Sequence, residues 1–136
     1  MAIITNLKIR LMGGEKAVLP KRHTTNLKAY NLYLEGRYFW NRRYEGGLIK
    51  SIDRFQDCIV QDPGYALPHV AIAESLNIIG LYGFLPPRQA FPQAKAAALR
   101  ALAIDCGMGE AYNSLGWVSV FFEWDWKKAE KEFRRA

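Results

Sequence analysis

Residues 51–58 read SIDRFQDC, residues 94–101 read AKAAALRA and residues 129–136 read AEKEFRRA. Each stretch opens on a small residue, carries an apolar one four positions later and closes on a small one three after that. The triplets are Ser51/Phe55/Cys58, Ala94/Ala98/Ala101 and Ala129/Phe133/Ala136. Steps of four and three keep all three residues on one face of an α-helix. Four residues past each of the first two triplets stands an aspartate, in Asp62-Pro63 and Asp105-Cys106. A second helical pattern then begins, as His69/Ile72/Ala73 in one copy and Tyr112/Leu115/Gly116 in the next. A helical hairpin repeated along a chain stacks on its neighbours. The pattern therefore predicts an all-α solenoid, an architecture that mostly binds other chains.

Turn residues set the element boundaries. Ile4, Leu7 and Leu11 stand at helical spacing before Gly13-Gly14, and Glu15 to Leu19 is read as a further turn before Pro20. Thr24-Thr25-Asn26 is a helix start, because a hydroxyl or amide there accepts the first unpaired N–H groups. The first helix runs to about Trp40, and Asn41 to Gly47 reads as a turn. The second spans about 46–61 and stops at Asp62-Pro63-Gly64. The third covers about 66–80, and Leu81 to Pro87 is a loop. The fourth ends near Ile104; a start at Pro87 and a start at Pro92 both satisfy the proline rules. Helices five (about 109–123) and six (127 onward) close a third hairpin. The chain thus divides into a basic helical or linker segment, 1–26, and a repeat domain, 27–136. No glycine or proline follows Ala136, so the last repeat reads as truncated.

Tyr112-x-x-Leu115-Gly116 followed by Ala129-x-x-x-Phe133-x-x-Ala136 resembles the tetratricopeptide repeat (TPR). His69-x-x-Ile72-Ala73 with Ala94, Ala98 and Ala101 forms a middle copy. Leu32-x-x-x-Gly36 with Ser51, Phe55, Cys58 and Pro63 forms the first. The resemblance covers roughly residues 27 to 136 and implies a right-handed superhelix of about three TPR hairpins after an N-terminal helical segment. The sequence departs from the pattern in three places: Glu35 replaces a leucine, the middle turn (Leu81 to Phe91) is long, and one extra residue lies near Asp125-Trp126. The segment from Leu11 to Tyr38 resembles the entry into TPR regions of bacterial multidomain regulators. Those proteins join such arrays to winged-helix, cyclase or serine/threonine-kinase domains.

What the resemblance implies for function is a non-catalytic scaffold that binds a protein or peptide, within a cytoplasmic bacterial regulator of signalling or transcription. By motif register the concave face presents Tyr30, Tyr33, Arg37 and Trp40 from the first copy. The second gives Leu67, Val70, Glu74 and Asn77, and the third Glu110, Asn113, Trp117 and Val120. The expected peptide-binding set is Tyr30, Tyr33, Arg37, Trp40, Asn77, Asn113 and Trp117. Rings supply contact area, asparagines hold a peptide backbone and arginine pairs a carboxylate. The competing reading assigns these rings to inter-helix packing. Tyr33 and Arg37 stand where the chaperone-tail clamp of some TPR proteins needs lysine and asparagine, which disfavours that ligand. On the fifth helix Tyr112, Leu115, Ser119 and Phe122 form the packing stripe. A second stripe, Trp117, Val120, Phe121 and Trp124, predicts burial on both faces or self-association through the last hairpin.

Composition supports this reading. Half of the 136 residues are apolar, enough for one packed domain. Cys58 and Cys106 occupy repeat positions without metal-ligand spacing, so both are read as small buried side chains and no metal site is expected. Lys8 and Arg10 interrupt any signal-peptide core, and the longest uncharged run, Ser75 to Pro87, is too short to span a bilayer. Residues 1–50 hold ten Lys or Arg against three Asp or Glu; the rest hold nine against ten. That asymmetry supports one alternative, a nucleic-acid-associated regulatory module using the basic first 50 residues. Lys8, Arg10, Lys16, Lys21, Arg22 and Lys28 are spread without aromatic interleaving, which favours a solvated face. His23 and His69 stand far apart, and no HExxH, P-loop, G-x-S-x-G or carboxylate pair is present, so neither enzyme nor cofactor is expected.

Overall fold

A computed structural model of the protein describes residues 24–136. The expected helix at Ile4, Leu7 and Leu11 and the basic residues from Lys8 to Arg22 lie outside the described residues. Every regular element among the described residues is helical: α1 (Leu27–Asn41), α2 (Glu45–Gln61), α3 (Ala66–Tyr82), α4 (Pro87–Ile104), α5 (Gly109–Val118), which continues as a π turn over Ser119–Glu123, and α6 (Trp126–Arg135). No helix among the described residues is long and apolar enough to cross a membrane. Helices pack as hairpins, α1 on α2, α3 on α4 and α5 on α6, and α2–α3 and α4–α5 contacts join the pairs.

The residues that start and stop these helices are local chemistry. Asn26 caps α1, its Oδ1 accepting from the Ala29 N–H at 3.0 Å while its Nδ2 donates to the Gln61 carbonyl at 3.1 Å. The Thr24 hydroxyl donates to the Asp62 carboxylate, so the start of α1 is tied to the end of α2. The recurrent aspartates share one job. Asp62 Oδ1 accepts from the Gly64 N–H at 3.2 Å, and Asp105 Oδ1 from the Gly107 N–H at 3.1 Å. Each builds the same Asx turn from one hairpin into the next.

Phe55 and Cys58 are fully buried, as is Ser51, so the face read from the 51–58 stretch is the face that packs. In the first hairpin Gly36 lies against the Phe55 ring; a Cβ there would fall 2.6 Å from Cδ1 and 2.9 Å from Cζ. The third hairpin repeats the contact with Gly116 and Phe133, at 2.6 Å and 2.7 Å. In the middle hairpin Ala73 and Ala98, both fully buried, stand in those places. The main core joins Phe55 to Ile72, Leu76, Phe91, Ala94, Ala98, Leu115 and Val118. Because α3 is flanked by both neighbouring hairpins, twelve of its residues are buried, including His69 and Asn77.

Several elements decide between the alternatives left open by the sequence or depart from it. Helix α4 starts at Pro87, and Pro92 sits inside it, where it lacks the N–H that would bond back to residue 88. The fifth helix does not continue as regular α-helix to residue 123. One π turn absorbs the extra residue of the third copy, and Trp124 follows in the left-handed conformation at φ 56°. Its successor Asp125 donates its N–H to the Ser119 carbonyl at 3.0 Å, as Phe84 donates to Ile79 after Gly83 at φ 76°. Both ends turn on a left-handed residue, which glycine adopts freely and tryptophan at a cost of about 1 kcal/mol, but the closing bond spans five residues at Ile79–Phe84 and six at Ser119–Asp125. Cys106 is exposed rather than buried, because it lies within the Asx turn between Asp105 and Gly107 instead of in a helix. Cys58 is buried; its Sγ donates to the Ala29 carbonyl at 3.0 Å, and burial, then the Asp62 charge, pushes its pKa up to about 12.

His69 gives the first testable consequence. Burial, with the Arg100 charge second, lowers its pKa, so the folded state holds a neutral imidazole. The unfolded chain takes the proton more readily. Its contribution to stability is therefore complete above the ordinary histidine range, near about 6.5, and is lost as pH falls toward the lowered folded value. Thermal melts at about pH 7.5 and about pH 5.5 should show the lower Tm in acid, and His69→Gln should shrink the difference. An undiminished difference would assign the acid sensitivity to other groups.

Candidate functional site

Helices α1, α3 and α5 run side by side in the same direction. Ala29 shares an apolar cluster with Tyr65, and Arg37 reaches Glu74, so α1 and α3 ascend together. Val70 clusters with Ala111, and the Asn77 Nδ2 donates to the Ser114 carbonyl at 3.2 Å, so α3 and α5 do the same. The three helices enclose a cleft of about 330 Å³ whose walls include Trp40, Asn77, Ile78, Leu81, Ser114 and Trp117. Two further hollows lie toward the helix N-termini, and Glu74 lines all three.

The seven predicted residues divide between packing and cleft. Tyr33 is half-buried, with its ring centroid 5.7 Å from that of Phe55 and 5.6 Å from that of Tyr65. Burial raises its pKa, and one edge still lines the lower hollow. Tyr30 is half-buried one turn below and lines none of the three hollows described above. Arg37 does not offer a free guanidinium: Nη1 pairs with Glu74 at 2.8 Å, and its Cζ lies 4.2 Å from the Trp40 ring centre. The cross-helix carboxylate that neutralises it comes from α3. Trp40, Asn77, Asn113 and Trp117 all line the upper cleft. Asn113 is exposed, and Trp117 stacks on Phe121 at 5.0 Å. The second stripe of α5 is thus open, with Trp124 71% and Phe121 42% exposed.

Sequence reasoning missed Arg43, Ile78, Leu81, Tyr82 and Ser114 in the cleft wall. Arg43 follows α1 in the turn, where motif register assigns nothing, and its Cζ lies 4.4 Å from the Trp40 ring centre. Two guanidinium groups therefore flank one indole, a cation–π arrangement that fixes the ring. Leu81 and Tyr82 extend α3 beyond its expected end at residue 80, and both are exposed.

The polar atoms decide what this cleft can do. Trp40 Nε1, Asn77 Oδ1 and Ser114 Oγ are buried without a hydrogen-bond partner among the described residues, and all three side chains line the same cleft. Asn77 is 5% exposed and Ser114 1%. A buried polar group left unpaired costs about 1–3 kcal/mol. The amide the cleft leaves in solvent is that of Asn113, which can both donate to and accept from a peptide backbone.

Compared with protein-family models, with curated proteins and with solved structures, the chain gives no match. Among the described residues no group of three or more His, Cys, Asp or Glu could hold a metal ion.

Proposed function

We propose that the chain is a non-catalytic scaffold of the tetratricopeptide type, its three hairpins stacked as a right-handed superhelix. In this reading it binds an extended peptide of a partner protein between α1, α3 and α5, within a larger bacterial regulatory protein. One observation carries it: Trp40, Asn77, Asn113 and Trp117, one or two from each of α1, α3 and α5, line a single aromatic-walled cleft. The hairpin order and the repeated Asx turns at Asp62 and Asp105 support the repeat architecture. The regulatory setting rests on the resemblance of residues 11 to 38.

Panning a random displayed-peptide library against the 136-residue protein tests the reading. Selected peptides should lose about tenfold or more in affinity with Trp117→Ala, since a buried aromatic at the centre of an interface carries much of its energy. Asn77→Leu, of similar volume, should weaken them comparably, with circular dichroism checking that each variant is folded. Unchanged affinity in both variants would place the binding site elsewhere. Binding of generic duplex DNA that falls steeply with salt and persists in both variants would favour the nucleic-acid alternative.

A further inference from the structure

The charges around the cleft are ordered along the helix axes. Arg43 lies at the upper end, beside Trp40, and makes no ion pair among the described residues. Glu110 lies at the lower end, in both hollows near the helix N-termini, and is likewise without an ion pair there. Between them the Arg37–Glu74 pair is internally neutral. The groove therefore offers one cation above and one anion below, with its apolar walls and unpaired polar atoms at the level of Trp40 and Trp117. From Glu110 to Trp117 the helix rises by about 10 Å. An extended peptide covers that distance in about three residues.

We infer that the groove reads a polar order in its peptide. A large apolar side chain enters the cleft between Trp40 and Trp117. An acidic residue lies next to it on the Arg43 side, and a basic residue lies about three positions away on the Glu110 side. This rests on the peptide-binding reading above and adds composition and direction to it. A single-sign ligand, such as a nucleic acid or a wholly acidic tail, would meet Glu110 unfavourably, whereas a peptide of both signs satisfies each end.

An array of terminally blocked undecapeptides tests it, with Leu, Phe or Trp at the centre of a Ser/Ala background and Glu and Lys walked through the flanks. The folded 136-residue protein should prefer acid–anchor–base peptides in one chain direction over the reversed order by about threefold to tenfold, the scale of two exposed charge pairs. Arg43→Glu should erase the acidic preference and Glu110→Lys the basic one. The double variant should select the same anchors with acid and base exchanged, an inversion that a loss of folding cannot produce. An order that is absent, or unchanged in the double variant while Trp117→Ala still abolishes binding, would overturn the inference and leave the groove reading intact. Binding that ignores Trp117→Ala altogether would overturn both.

Discussion

Phe55→Ala is expected to lower the unfolding free energy by about 3–5 kcal/mol, the range for deleting a fully buried phenylalanine ring. The ring is 0% exposed and sits between Gly36 and Tyr33, within the core that joins α2 to α3 and α4. On the α1 side Gly36 has no side chain to fill the space. Phe133→Ala removes the same ring from the same position of the third hairpin, yet Phe133 is 39% exposed. Less area leaves water in that folded ring's case, so the loss should be about 1–3 kcal/mol. Urea unfolding followed by circular dichroism gives both values. Equal losses would mean that the two Gly–Phe contacts are energetically the same and that burial does not rank them.

Helical registers were readable because burial follows periodicity. Ser51, Phe55 and Cys58 face inward for the same reason that their spacing of four and three could be recognised. The aspartates at 62 and 105 were visible as a repeat, and hydrogen bonds to Gly64 and Gly107 supply their cause. The π turn at Ser119–Glu123 was not readable. The extra residue near Asp125 was visible, but not where the helix takes it up; at the end of the turn Glu123 accepts from Lys95 of α4 at 2.7 Å and from Lys128 of α6 at 3.0 Å. Those bonds, that to Lys95 foremost, hold its carboxyl below the usual range. Local propensity carries no record of a clamp between three elements.

The site was legible to the extent that motif register names one face of each first helix. It placed Trp40, Asn77, Asn113 and Trp117 along one cleft. It could not show that Arg37 is occupied by Glu74, since a cross-helix pair is settled by packing distance. Nor could it find Arg43, whose backbone at φ 42° turns the chain back toward Trp40 after the helix has ended.

Gly36→Ala should destabilise the protein even though alanine is the better helix former. Alanine gains up to about 1 kcal/mol in a helix interior. Its methyl, however, would overlap the Phe55 ring, which is enclosed and cannot swing away. Overpacking of this kind costs about 1–3 kcal/mol or more, and the closeness of the ring carbons argues for the upper end. Gly116→Ala meets Phe133 as closely, but that ring is partly in solvent and can yield, so its net effect should lie near zero. The decisive measurement is a double-mutant cycle. On the Phe55→Ala background the new methyl enters the space that the ring vacated, and the helix gain is all that remains. Gly36→Ala should then change sign and stabilise by about 0.5–1 kcal/mol. The middle hairpin already holds that combination, Ala73 with Ala98, fully buried. Additive effects in the cycle would show that Gly36 serves the backbone of α1 and not the seat of Phe55, and the parallel drawn between the three hairpins would fail.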